Sequence, residues 1–177
     1  MKSVFVFTNT QKVLDYLANH PGEQLLANEI QGKLKISRGG VNQSLRELAE
    51  EGLICREKKG NIFLYSLNHS SPVVKQYKIL KNTEMVYPLA NKLKEASEKI
   101  ILFGSSARGE DVSESDVDIF ILTREPDAAA KIIQQYKIKR KIQMIIRTPA
   151  AYTDMESKEP VFFEEINRGI TVMENKG

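Results

Sequence analysis

The sequence predicts two domains of different class: an α+β domain of three helices and a hairpin, then an α/β domain whose mixed sheet is flanked by helices. Three observations point there. Residues 1–70 show apolar residues at helical spacing and end in two β-rich runs. Residues 98–177 alternate short apolar runs with helical stretches. Ser70-Ser71-Pro72 separates the two patterns, because proline confines the residue before it to extended backbone.

Composition bounds the classes available. The 177 residues are 41% hydrophobic and 28% charged, ordinary globular material without a low-complexity run. No apolar stretch approaches the length of a membrane span, and the VFVF run near the start is too short for a signal peptide. A cytoplasmic protein with no membrane partner is expected. Cys55, the lone cysteine, excludes an internal disulfide and suits a reducing compartment. It falls in an apolar strand pattern, so a buried structural thiol is expected. The net charge of +3 permits nucleic-acid binding without arguing for it.

In the first domain, a helix over residues 10–19 places Val13, Leu14 and Leu17 on one face, and His20-Pro21-Gly22 stops it. A short helix covers 26–33. Ser37 caps a third helix that ends at Glu51-Gly52, with Val41, Leu45 and Leu48 as its buried stripe. Residues 53–56 and 62–67 form a hairpin around Glu57-Lys58-Lys59-Gly60-Asn61. Residues 71–97 form a helical connector, interrupted near Tyr87-Pro88. In the domain spanning 98–177, strands are expected over 100–104, 117–122 and 141–147. Helices follow from Ser105, over 127–136, 150–156 and 160–168, with a last apolar run at 170–173.

The segment 100–122, IILFGSSARGEDVSESDVDIFIL, carries the chemistry. Asp116 and Asp118 share one face of a strand, while Val117 and Ile119 point into the core. Like charges side by side repel, and a divalent cation relieves them. The Gly104-Ser105 turn opens a helix and offers backbone N–H groups and a hydroxyl to a phosphate. Ser113 and Ser115 shape the loop between. His20 and His69, with no second ligand at metal spacing, read as surface residues.

This constellation resembles the signature of the DNA polymerase β superfamily of nucleotidyltransferases, in its minimal branch. The resemblance rests on Gly104, Ser105, Asp116, Val117 and Asp118, flanked by Ala107-Arg108-Gly109 and Ser115. It implies the nucleotidyltransferase fold, with Asp116 and Asp118 as catalytic Mg2+ ligands and a nucleoside triphosphate held by Gly104 and Ser105. Arg108 would reach a phosphate or pair with a carboxylate to hold the turn. One departure stands out. The family's third carboxylate falls at Gln143, which carries no charge and takes up no proton as a base. Glu110, Asp111 and Glu114 are the loop acids that could substitute. The run Lys137, Lys139, Arg140, Lys141 is either a solvated turn or an attractor of phosphates.

Three helices and a hairpin resemble the winged helix-turn-helix family, whose third helix enters the DNA major groove. Arg38, Asn42, Gln43 and Arg46 share a face suited to reading bases, and Lys58 and Lys59 on the wing suit phosphates. The same face also reads as solvated surface, since only nine basic and seven acidic residues precede Pro72. Such domains also serve docking and dimerisation. The resemblance implies a homodimer on paired half-sites.

Two functions remain open from the sequence. One is a Mg2+-dependent nucleotidyltransferase tethered to a DNA-binding winged helix. The other is a DNA-binding transcriptional regulator whose second domain binds nucleotide without turnover. Resemblance to the antitoxins of two-gene modules fits either and implies a small helical toxin-like partner.

Overall fold

The computed structural model describes residues 8–112, 115–136 and 140–175, so Ser113, Glu114, Lys137 and Lys139 lie outside the described residues. The chain divides into two compact units, Met1–Gln76 and Tyr77–Gly177.

In the first unit, helix α1 (Asn9–Ala18) starts from Thr8. The Thr8 Oγ1 accepts from the Gln11 amide at 3.2 Å, and the Gln11 side chain accepts from the Thr8 amide at 2.9 Å, a reciprocal cap. Strand β1 (Leu25–Leu26) leads into α2 (Ala27–Leu34), and α3 (Arg38–Glu50) follows. Two residues are too few to show alternation, which is why the sequence did not reveal β1. The Ser37 hydroxyl accepts from the Gly40 amide at 3.2 Å and sets the start of α3. Val13, Leu14 and Leu17 of α1 are buried, as are Ile30 of α2 and Val41, Leu45 and Leu48 of α3.

Strands β2 (Ile54–Lys59) and β3 (Ile62–Leu67) complete an antiparallel sheet in the order β1-β3-β2. Lys59 pairs with Ile62, so the turn is only Gly60-Asn61 and β2 runs three residues beyond its expected end at Arg56. Gly60 sits at φ +60°, the positive value a tight two-residue hairpin turn requires. Cys55 is exposed, against expectation. Of β2 only Ile54 is buried, because the hairpin projects as a wing with little protein to cover it.

Helix α4 (Pro72–Leu93) is continuous, whereas a break was expected near Tyr87-Pro88. Pro88 removes one backbone donor, but Val86, Leu89, Ala90 and Leu93 around it are fully packed, and that burial outweighs the lost hydrogen bond. A 3₁₀ turn (Lys94–Ala96) precedes β4 (Lys99–Phe103), then α5 (Gly104–Arg108) and β5 (Val117–Leu122). Next come α6 (Pro126–Gln134), β6 (Ile142–Arg147), α7 (Pro149–Lys158), α8 (Pro160–Asn167) and β7 (Ile170–Glu174).

The sheet order is β6-β5-β4-β7, with β5 and β6 parallel and the other pairs antiparallel. Alternation divides its faces. Ile100, Leu102, Val117, Ile119 and Ile121 pack with α4 and Ala129 of α6, while Ile101, Phe103 and Phe120 pack with Met155 of α7 and Ile166 of α8. The architecture is therefore a winged helix followed by a mixed sheet flanked by helices, the fold class read from the sequence. No helix among the described residues is long and apolar enough to cross a membrane.

Asp111 anchors the loop between α5 and β5. It is buried, with Lys78 Nζ 3.3 Å from Oδ1, Arg140 Nη1 2.8 Å from Oδ2, and the Asn82 amide donating to Oδ1 at 3.0 Å. Lys78 Nζ also donates to the Asp111 carbonyl. Arg140 further donates to the Ser115 carbonyl at 2.9 Å, so α4, the loop and the lead-in to β6 are tied to one carboxylate. Removing one partner of a buried pair strands the other charge, at a cost of about 3–5 kcal/mol. Asp111→Ala should therefore lower denaturant-unfolding stability by about that amount. Glu164→Ala, which breaks an exposed pair with Arg168, should shift it by less than about 1 kcal/mol.

Candidate functional site

Asp116 and Asp118 sit at the start of β5, on the face that also carries Phe120 and that α7 and α8 cover. Phe103 pairs with Asp118, which brings the bend after β4 directly against this carboxylate. Gly104 occupies that bend at φ +66°, and a β-carbon there would collide with Asp118 Oδ2. The Gly-Ser bend and the second acid of the pair are thus in contact, and only glycine permits it. Ser105 is partly exposed beside it, and its carbonyl accepts the Gly109 and Glu110 amides, closing the turn.

On the neighbouring strand Gln143 pairs with Asp118, level with it across the parallel ladder. The position where the resemblance calls for a third acid is therefore an exposed amide. None of the described loop acids replaces it. Asp111 is committed to its buried ion pairs, and Glu110 pairs with Arg108 at 3.1 Å. Lys141, one step before the paired Val117 and Ile142, lies beside Asp116 with Nζ 2.8 Å from Oδ2. The Lys141 side chain is 81% exposed, so this ammonium approaches Asp116 from solvent and does not bury the acid pair.

Arg108 extends from α5 toward α8, with Nη1 3.6 Å from Glu165 Oε1. These two residues, Gly104, Ala107, Val161 and Arg168 line a cleft of about 310 Å³ beside the bend. Asp118 holds its proton above the ordinary carboxylate range, first because it is partly buried, then because the charges of Asp116 and Glu165 face it; Arg108 opposes the shift. The hydrogen bond from Lys141 to Asp116 in turn holds the ammonium above its usual range.

The residues present fit one magnesium ion. Magnesium is commonly held by one or two carboxylates with the remaining positions taken by water and substrate phosphates, and Asp116 and Asp118 supply such a pair at the mouth of the bend. Among the described residues no group of three or more His, Cys, Asp or Glu is arranged to hold a metal by protein ligands alone.

In the winged-helix unit, Arg38, Asn42, Gln43 and Arg46 are all exposed on α3. The Gln43 amide is turned onto Glu47, 2.9 Å from Oε1. That bond and one from Thr10 hold the Glu47 carboxyl below its ordinary value. A groove of about 520 Å³ runs between α2, α3 and the wing, lined by Asn28, Gln31, Arg38, Asn42, Ile62 and Phe63 among others. Lys58 and Lys59 lie within β2, so they point to opposite faces, and Lys59 donates to Gln24 at 2.9 Å. Arg56 shares the Lys58 face, stacks on Phe63 at 3.7 Å, and lines a second cleft with Asn42 and Arg46. The sequence reading passed over Arg56; two-residue alternation from Lys58 would have found it.

The family model described as Polymerase beta, Nucleotidyltransferase matches residues 88–177, and the one described as MarR family matches residues 12–60. Among solved structures, a single-site mutant of ZitR from Lactococcus lactis matches at 27% identity, covering 54% of this chain and 67% of that one, with a TM-score of 0.36. A candidate nucleotidyltransferase from Sulfolobus solfataricus matches at 13% identity, covering 55% of this chain and 85% of that one, with a TM-score of 0.38. No curated protein matches the chain. The two family matches, and not these partial superpositions, carry the assignment.

The raised proton affinity of Asp118 has a consequence for stability. A carboxyl whose folded value lies above its ordinary 3.8 binds its proton more tightly in the native state, so stability is lost as pH rises above that value. Asp118→Asn removes the penalty. It should melt higher than the native protein at pH 7 by less than about 1 kcal/mol, since the group is largely solvated, and the gain should vanish as pH falls toward 3.8. Thermal melts across pH 3 to 8 read this directly.

Proposed function

The chain belongs to the polymerase β nucleotidyltransferase family, and from that premise we propose that it uses Mg2+ to transfer a nucleoside monophosphate from a nucleoside triphosphate to an acceptor, while its MarR-like winged helix binds DNA. The observation that carries the reading is the contact between Gly104 and Asp118, with Asp116 on the same face.

Asp116 and Asp118 would hold the ion, which when bound supplies positive charge to the triphosphate and the leaving oxygen. Gly104 and Ser105 hold the terminal phosphates through backbone N–H groups and the Ser105 hydroxyl. Arg108, half-exposed and paired with the exposed carboxylates of Glu110 and Glu165, turns from Glu165 to a phosphate. The acceptor oxygen bonds to the α-phosphorus, the bond to the bridging oxygen of the β-phosphate breaks, and pyrophosphate leaves with that electron pair. Gln143 hydrogen-bonds but takes no proton, so the acceptor's proton passes to solvent. Candidate acceptors include a hydroxyl of nucleic acid, a small alcohol, and a small helical partner protein.

A second reading has its own support. Gln143 stands level with Asp118 where the resemblance expects an acid, which favours a regulator that senses nucleotide without turning it over. In both readings the chain acts as a homodimer on paired DNA half-sites, with Arg38, Asn42, Gln43 and Arg46 at base edges and Lys58, Lys59 and Arg56 at the flanking backbone.

Purified protein with Mg2+ and each labelled nucleoside triphosphate should release pyrophosphate, and Asp116→Ala should abolish release. Triphosphate bound at Asp118 without release supports the regulator instead. No binding at all, unchanged by Asp116→Ala, rejects both. On DNA, Arg46→Ala should cost about 1–3 kcal/mol and relax preference at one base pair. Lys58→Ala should weaken all sequences alike and reduce the salt slope by about one. Unchanged affinity for Arg38→Ala and Arg46→Ala would remove α3 from the interface.

A further inference from the structure

We propose that the site takes a single divalent cation, and that the ammonium of Lys141 occupies the place of a second one. The inference rests on the nucleotide reading above and specifies what that site binds.

Two features of β6 carry it. Gln143 is level with Asp118 and exposed, so no carboxylate stands there to hold a second ion against the first acid. Two residues earlier, in the residue that leads into this strand, Lys141 reaches Asp116 Oδ2 at 2.8 Å. The segment that lacks an anion at Gln143 thus contributes a cation at Lys141, and places it on Asp116, the other acid of the pair.

The charges agree. Two carboxylates, one ammonium and one divalent cation together carry one positive charge. Three carboxylates with two divalent cations carry the same. A triphosphate therefore meets the same net charge in either arrangement, with a lysine in place of an acid and an ion.

Geometry favours the ammonium as well. It has three donors, so it keeps one on Asp116 while the others reach phosphate oxygens. Its four-carbon stem is 81% exposed and free to follow the ligand. Arg140, its neighbour, is immobilised on Asp111 and Ser115, which fixes the backbone from which Lys141 extends. A lysine, unlike a second metal, is always present, so part of the triphosphate affinity persists when divalent ions are removed.

The test uses the full chain, Mn2+ as the probe ion, and α,β-methylene analogues of the four ribonucleoside triphosphates. Electron paramagnetic resonance titration counts bound Mn2+, and calorimetry gives analogue affinity with and without chelator. The native protein should bind one Mn2+ per chain with analogue and retain weak analogue binding in chelator. Lys141→Ala should weaken analogue binding about tenfold or more, with Mn2+ and in chelator alike. The pair Lys141→Ala with Gln143→Asp should bind two Mn2+. Both positions are exposed, and circular dichroism melts check that the variants fold. Two Mn2+ on the native chain, or an unchanged affinity in Lys141→Ala, overturns the inference while leaving the nucleotide site standing. Analogue binding to no form of the protein overturns that site and the inference with it.

Discussion

The buried carboxylate of Asp111 sets the geometry on which the second unit depends. Lys78 and Asn82 come from α4, one turn apart, and Arg140 comes from the lead-in to β6, yet all three converge on it. Taking these charges out of water costs more than a hydrophobic replacement would, so the network is better explained by position than by stability. It holds the loop before β5 at a fixed height relative to β6. Because side chains alternate along a strand, a one-residue slip in that pairing would turn Asp116 and Asp118 into the α4 core. The apolar alternation of Val117, Ile119 and Ile121 sets which face the two acids present, and the ion network ties down the loop that leads to them.

On that face the electrostatics are left partly unbalanced. Asp116 and Asp118 share a side of β5 with Glu165 nearby, and the opposing cations, Arg108 and Lys141, are both exposed. Residues held in such a state are costly to the fold and useful to a ligand. The contrast with Asp111 is instructive. There the carboxylate is met by the buried Lys78 ammonium and the partly buried Arg140 guanidinium. At Asp118 burial and the charges of Asp116 and Glu165 raise the proton affinity, and Arg108 opposes them only in part.

Much of this was legible in the sequence because periodicity and spacing survive without coordinates. The stripe Val41, Leu45, Leu48 and the Ser37 cap located α3, and the apolar run broken by Gly104-Ser105 and followed by Asp116-Val117-Asp118 located the site. The family resemblance singled out Gln143 as the position of the missing acid, and its level pairing with Asp118 appears only in the sheet. What stayed hidden depended on contacts between distant segments. Nothing local marks Asp111 as buried, and Lys78 and Asn82 look like surface residues until the sheet closes beneath α4. Cys55 looked apolar by its neighbours, but a wing with one uncovered face leaves it exposed. Pro88 signalled a break that surrounding burial overrode. Lys141 read as one of a basic run, and only its register beside Asp116 gives it a distinct role.

The account stands or falls on whether the acid pair and the Gly-Ser bend together form one pocket for a metal-chelated triphosphate. A crystal of the full chain grown with Mn2+ and a non-hydrolysable triphosphate, with anomalous scattering recorded for manganese, tests this most directly. The account predicts a manganese peak bridging Asp116 and Asp118, with the terminal phosphates on the Gly104 and Ser105 amides. Manganese or phosphates elsewhere on the molecule, with Asp116 still paired to Lys141 and no metal at either acid, would contradict it.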